Sequence, residues 1–540
     1  MNKPEIRNVL LLTIDALKLT FLQAGGNPLN VCPAINFLGE NGILSLNTRT
    51  HGFPTQMAFP SILSGTLPLD HGGYDTGLSQ RPLTLAEALR DEGLRTTAFS
   101  SHPWLSRRFA YDRGFDDFHE LFDIDKAWRI FSTVYGKYYA DLLSKEVIGP
   151  EKYLEIAGKW FTITVTELQR LCLDKQHEED RKKFPYRPEI HRHNFEAVGK
   201  SLEEIFSQYS KNPDFLITMQ KSGRLDGEIT MLLEGKPSLS PFEAWLVKSA
   251  DHLLKLFLIQ MWRNKYSPPA AYYADRILSV LRKGGHSPFF LWTHFLDIHD
   301  NTYTRGPVGL PPNPMSLVPA RLLTRNNPAS MVRTLSLRYV DKQVARILKA
   351  LRSTGLLDTT LIVVCGDHGY PVTSYEKIPG NLFDESARVP LIFYNPHTGH
   401  RKVHEPCGLF DIAPTVLDLM GMDQRPEFTG NSIARSLPAD RPIFLENLGP
   451  GPCDLRFKAV KIAVIKGRFK LIWREQGYEL TSPPGEKYLF DLVGDPLERK
   501  NLYSDTEYRE IVSELESIVR GRCTELRRQN FEKSPHTSHT

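Results

Sequence analysis

Cysteine is scarce. The 540 residues hold six, at Cys32, Cys172, Cys365, Cys407, Cys453 and Cys523, with no CxxC pair and no zinc-ribbon spacing. That argues against a disulfide framework and for reduced thiols, hence a cytosolic setting. A long apolar run is also missing: the opening MNKPEIRNVLLLTIDALK carries only about six apolar residues in a row before Asp15, too short for a secretory h-region or a membrane span. Neither sign of charge dominates. Sixty-seven basic and 63 acidic residues leave a net +4, too little at this length to argue for nucleic acid or an anionic membrane as partner. With 41% apolar and 24% charged residues, the chain is neither disordered nor fibrous, and it contains no internal repeat.

What is present is a set of short, continuously apolar segments. NVLLLTID and TTLIVVCGD (359–367) read as strands buried on both faces, because they do not alternate and each ends in a carboxylate. SPFFLWTHFLD (287–297), VPLIFYN (389–395) and LRTTAFSS (94–101) read in the same way. Helical patterns such as LTLAEALRDEG and LSLRYVDKQVARILKALRSTG lie between them, the second closing on Gly355 as a helix C-cap. Alternating strand and helix predicts an α/β fold: a mostly parallel central sheet with helices on both faces. Residues 1–120 and 285–440 form this unit. Residues 121–284 look helical, with no pattern tying them to the sheet, and read as an insertion. Residues 441–528 read as a small C-terminal α+β subdomain, in which VKIAVIKGRFKLIW makes two antiparallel strands turning at Lys466-Gly467 and a last helix covers about 506–528. Residues 529–540 read as a disordered tail.

In open parallel sheets ligands bind beyond the carboxyl ends of the strands. Asp15, Asp297 with His299, and Asp367 with His368 all fall at such ends, so one crevice would receive several carboxylates and imidazoles, which is the chemistry of a metal site.

The order of the motifs resembles the sulfatase family of the alkaline phosphatase superfamily. NVLLLTIDALK is similar to the family's first strand with its metal aspartate, FPTQMAFPSILSGTLPLDHGGYD to its nucleophile segment, and LDIHDNTY to its D-x-H-x-x-Y turn. The segment ending in GDHG resembles the family's S/G-D-H-G metal motif, and ARVPLIFYNP, DIAPTVLDLMG, GRFKLIW and KYLFDLVGDPLERKNL follow in family order. The resemblance covers about 7–120 and 285–505. It implies a metal-dependent ester hydrolase with one or two divalent ions (Mn²⁺, Zn²⁺, Mg²⁺ or Ca²⁺) bound by Asp15, Thr55, Asp367 and His368, and a small-molecule, glycan or lipid ester as substrate. Counting back from Gly65 as the family pattern does puts the nucleophile at Thr55, with Ser61 and Ser64 as lesser hydroxyls. Thr55 otherwise reads as a helix N-cap, and Pro60 would disturb a regular helix around it. His299 resembles the family's substrate-facing, catalytic histidine. His102 and Lys377 are further substrate-binding candidates, and Asp297 orients its turn.

The sequence also departs from the family. Sulfatases use a cysteine oxidised to formylglycine and followed by Pro-Ser-Arg, whereas Thr55 is followed by Gln-Met-Ala-Phe. A sulfated threonine cannot collapse to an aldehyde as a formylglycine hydrate does, so a plain hydroxyl favours phosphoryl chemistry. Ala16 replaces a second aspartate common in sulfatases. His71 and Arg388 read as structural, and His191 and His193 as a solvated pair. A phosphoglycerol- or phosphoethanolamine-type transferase using the same site, or a noncatalytic binding protein on the same fold, are the alternatives. The oligomeric state is not encoded in any motif.

Overall fold

The computed structural model describes residues 5–122, 124–182, 195–221, 268–283, 287–300, 328–370, 382–449, 451–475 and 487–532. The main sheet is built from β1 (Asn8–Ile14), β2 (Ile43–Ser45), β4 (Arg95–Ser100), β5 (Asp117–Glu120), β6 (Phe289–Phe295), β7 (Thr360–Gly366), β8 (Leu391–Tyr394) and β9 (Arg401–Val403), in spatial order β5-β4-β6-β1-β7-β8-β2-β9. A two-stranded pair, β3 (Thr48–Arg49) and β10 (Cys407–Gly408), flanks it.

β1 lies at the middle, parallel to β6 on one side and β7 on the other. All seven of its residues are buried because alternate side chains feed two separate cores. Val9 and Leu11 pack with Phe290, Trp292 and Val363 on one face, while Leu10 and Leu12 pack with Leu291, Ile362 and Val364 on the other. β8 is the exception to parallel order, running antiparallel to both β7 and β2. Among the described residues, the β7–β8 connection holds only the four-residue helix Asp384–Ala387, too short to serve as a crossover. The long helix Pro328–Ser353 is followed by Gly355 in the left-handed conformation (φ 71°), as a C-terminal glycine cap requires.

The 121–284 stretch is helical where described, but it is not detached from the sheet. Trp128, Phe131, Tyr135 and Phe161 belong to the same core as Phe59, Trp104, Phe290 and Trp292. The tie is the apolar stripe of helix Pro150–Leu173, which buries Tyr153, Ile156, Ala157, Phe161, Val165, Leu168 and Leu171 at helical spacing. His191 and His193 lie outside the described residues.

The C-terminal part is an antiparallel sheet of β11 (Ile443–Asn447), β12 (Lys461–Lys466), β13 (Phe469–Arg474) and β14 (Tyr488–Asp491), with β12 and β13 joined at the turn the sequence predicts. One face is covered by the last helix, through Leu515, Val519, Cys523 and Leu526. The other face packs Leu445 and Ala463 on Leu382 and Ala387 of the main unit. That last helix runs Arg509–Glu532, so residues 529–532 are helical rather than part of a tail. None of the six cysteines forms a disulfide, and no helix among the described residues is long and apolar enough to cross a membrane.

Candidate active site

The register of the central strands sets the site. Ile14 pairs with Gly366 across β1 and β7, so Asp15 and Asp367 are the next residues out on adjacent strands and emerge side by side. The chain then turns sharply: Ala16 takes a left-handed φ of 61°, and its N–H donates to Asp367 Oδ1 (3.3 Å), which also accepts from the His368 N–H (2.7 Å). Gly366 is required here, because a Cβ on it would lie 2.2 Å from the Leu17 carbonyl oxygen.

Thr55 reaches the same place from a helix. The helix Thr55–Ser64 starts at Thr55 itself, with Pro54 as its N-cap, so Thr55 occupies the first helical position and is not the cap. Pro60 is accommodated inside the helix rather than breaking it. The approach is held by the C-terminal sheet: the Glu446 N–H donates to the His51 carbonyl (2.7 Å), and the Asn447 side chain donates to the Phe53 carbonyl (2.6 Å). Thr55 Oγ1 lies 3.2 Å from His368 Nε2. Ser61 and Ser64 are fully buried and bond to Thr66 and Pro60 in their own helix and turn.

Asp15, Asp367 and His368 offer ligand atoms that all lie within 4.8 Å of one another. His368 Nε2 is 3.4 Å from Asp367 Oδ2 and 3.7 Å from Asp15 Oδ1. Those two carboxylate oxygens are buried and have no hydrogen-bond partner. Burial pushes both carboxyls up. At Asp15 the nearby His299, His294 and His368 outweigh it and hold the group below the usual carboxylate range. At Asp367 burial prevails, reinforced by the charge of Asp15, and the carboxyl is raised. Two buried carboxylates facing imidazole nitrogens, with acceptor oxygens left unpaired, fit a divalent cation.

The cleft over this cluster, about 420 Å³ of empty space that includes its opening to solvent, reaches Gln56, His102, Trp104, His299 and Tyr370. His102 Nδ1 accepts from the Trp104 N–H (3.2 Å), which leaves the proton of the neutral ring on Nε2. His299 is half exposed and its Nδ1 lies 3.0 Å from Asp300 Oδ1. Asp297 is fully buried and accepts from the Ala270 N–H at the start of helix Ala270–Lys283 (3.1 Å), so it ties the turn to that helix rather than joining the cluster. Arg388 donates twice to the Leu46 carbonyl (3.1 and 2.7 Å), a structural contact. Lys377 lies outside the described residues. Among the described residues, none from 121–284 lines the cleft.

One residue escaped the motif reading. His294, in the middle of SPFFLWTHFLD, is fully buried on β6, with Nε2 3.7 Å from Asp15 Oδ2 and 3.9 Å from Asp367 Oδ2. The signal was available: an imidazole inside an otherwise apolar strand beside the metal aspartate's strand needs a partner.

A carboxylate and hydroxyl cluster at the carboxyl ends of a mostly parallel, helix-covered sheet is the arrangement of the alkaline phosphatase superfamily. The family model described as Sulfatase matches residues 7–166 and 259–422, and the chain belongs to the sulfatase family. The match runs well into the 121–284 stretch. Among curated proteins the chain is 29% identical over 190 residues to a Δ4,5-hexuronate-2-O-sulfatase of Bacteroides thetaiotaomicron, covering 34% of this chain and 38% of that protein. It is 30% identical over 176 residues to a choline-sulfatase of Rhizobium meliloti, covering 31% of each. The matched segment thus spans under two-fifths of these relatives. The fold is shared with a 2-O glycosaminoglycan sulfatase (TM-score 0.56, 16% identity, covering 98% of this chain and 94% of that one). It is shared too with a phosphonate monoester hydrolase of Agrobacterium radiobacter (TM-score 0.54, 16% identity, 97% and 96%).

Proposed function

We propose that the protein is a metal-dependent ester hydrolase that cleaves phosphate or sulfate esters of small molecules, glycans or lipids through Thr55, with phosphoryl groups favoured. The observation that carries this reading is the Thr55 hydroxyl, buried at a helix start and 3.2 Å from His368 Nε2, beside two carboxylates with unpaired oxygens. Asp15, Asp367 and His368 would hold a divalent cation, which would supply positive charge favouring the deprotonated Thr55 oxygen and the oxygens of the transferred group.

The Thr55 hydroxyl gives its proton to solvent in the cleft and Oγ1 attacks phosphorus or sulfur in line; the new Oγ1–P or Oγ1–S bond forms as the bond to the ester oxygen breaks. The departing alkoxide takes a proton from the imidazolium form of His299, which lines the cleft. The start of the helix at Thr55 adds the positive end of its dipole next to the transferred group. Water, giving one proton back to His299, then attacks the same centre from the opposite side and displaces Thr55 Oγ1, which takes a proton from solvent.

The preference for phosphoryl transfer rests on the nucleophile. A threonine ester must be released by a second in-line attack, whereas formylglycine sheds sulfate by internal collapse, and no cysteine stands at position 55 to yield formylglycine. Sulfate esters are the second reading, favoured by the relatives named as sulfatases. A panel of aryl phosphate monoester, phosphodiester, phosphonate and sulfate esters, each assayed with added Mn²⁺, Zn²⁺, Mg²⁺ and Ca²⁺, separates the two. Fast sulfate turnover with slow turnover of every phosphorus ester would reverse the preference. No turnover with any of them would remove the hydrolase reading.

A further inference from the structure

Thr13 fixes the state of His294. Its hydroxyl donates to the Thr293 carbonyl (3.1 Å) and accepts from Trp292 Nε1 (3.2 Å), a nitrogen that can only donate. The remaining contact of Thr13 Oγ1 is His294 Nδ1, at 3.0 Å. With its one hydrogen already used, the oxygen can only accept there, so Nδ1 carries the proton and the neutral ring presents a lone pair at Nε2. That Nε2 is buried without a hydrogen-bond partner and faces Asp15 Oδ2 and Asp367 Oδ2 at 3.7 and 3.9 Å. His368 is arranged in the same sense: Nδ1 lies 2.7 Å from the Gly369 carbonyl, to which it can only donate, and Nε2 is turned to the same two carboxylates. Each imidazole lone pair therefore faces the Asp15 and Asp367 carboxylates, His294 on the side of Asp15 Oδ2 and His368 on the side of Asp15 Oδ1, a concentration of acceptors that a cation relieves.

We propose that His294 is a direct protein ligand of the metal centre, giving a set of two imidazoles and two carboxylates that selects a first-row transition ion such as Zn²⁺ or Mn²⁺ over Ca²⁺. This rests on the metal centre proposed above and extends it to an assigned fourth protein ligand and a metal class. Imidazole nitrogens suit Zn²⁺, Mn²⁺ and their neighbours, whereas Ca²⁺ takes oxygen ligands. The Thr13 and Gly369 carbonyl contacts are the outer partners that hold metal-binding histidines in one tautomer.

The test counts nitrogen ligands and does not depend on turnover. Mn²⁺-loaded full-length protein carrying ¹⁵N-histidine, measured by pulsed electron paramagnetic resonance, should show two directly coupled imidazoles in the wild type and one in either His294→Ala or His368→Ala. Thr13→Val keeps His294 but removes the atom that fixes its tautomer, and should weaken Zn²⁺ binding by about tenfold while leaving Ca²⁺ binding unchanged. A single coupled imidazole in the wild type overturns the assignment of His294 and leaves the metal centre standing. Absence of any bound ion overturns both. If His294→Ala fails to fold, the wild-type count and Thr13→Val still decide the matter.

Discussion

Lys470 Nζ lies 3.1 Å from Asp384 Oδ1, and with this contact the C-terminal sheet is ionically locked to the main unit. Lys470 is fully buried on β13 and also pairs with Glu498 (2.7 Å), while Arg49 of β3 pairs with Asp384 Oδ2 (2.5 Å). Burial pushes the Asp384 carboxyl up, but Arg49 and Lys470 outweigh it and hold it well below the usual range. Asp384→Ala leaves the buried Arg49 without its carboxylate and Lys470 with Glu498 alone, and should cost about 3–5 kcal/mol in urea unfolding. A loss below about 1 kcal/mol would mean that the network contributes little to joining the two sheets.

Acid should destabilise the protein partly through His51. This ring is fully buried, donates Nδ1–H to the Phe444 carbonyl (2.6 Å), and is pushed down to about 3 by burial, with Arg441 adding repulsion. The folded state therefore binds fewer protons than the unfolded state between about 3 and 6.5. Stability rises with pH across that window, and falling pH removes up to about 1.4 kcal/mol per pH unit. In melting curves at pH 4.5, 5.5 and 6.5, His51→Asn should show a shallower decline than the wild type.

Removing metal should lower thermal stability. Apo protein keeps Asp15 Oδ1 and Asp367 Oδ2 buried without hydrogen-bond partners, so an ion at a hundred times its Kd should restore about 2.7 kcal/mol. Asp367→Asn removes one of the two facing charges. It should melt above the wild type when both are metal-free and show little further rise when metal is added. Calorimetry with and without chelator gives the comparison.

Thr55→Ala should lower kcat on the order of 10³-fold or more, with metal content unchanged. Ser61→Ala and Ser64→Ala, whose hydroxyls are bonded within their own helix and turn, should cost far less turnover. Mass spectrometry after rapid quenching should find the transferred group on the peptide containing Thr55 in the wild type and not in Thr55→Ala.

The parts of the fold legible in the sequence were those written in continuous apolar residues. β1, β6 and β7 lie within the segments expected, because a strand buried on both faces needs no polar alternation, and the carboxylates at their ends were visible as chemistry. The antiparallel run of β8 was not legible, since direction depends on a connection and not on the strand's own residues. The attachment of 121–284 was missed because its apolar residues are spread at helical spacing along Pro150–Leu173 and do not form a run. Motif order brought out Asp15, Thr55, Asp367 and His368; His294 belongs to no such motif, and only the pairing of β1 with β6 reveals what it faces.

β1 is synthesised long before either of its neighbours, for Val9 pairs with Phe290 on one side and Leu361 on the other. A nascent chain therefore carries, until those partners emerge, a seven-residue strand meant for burial with two unsatisfied edges. Neither the sheet's centre nor the Asp15–Asp367 pair can exist before the chain beyond residue 368 has left the ribosome. Truncated products and slow codons upstream of that point should favour aggregation, and holding chaperones should matter more for this protein than for one whose first strand closes a local hairpin.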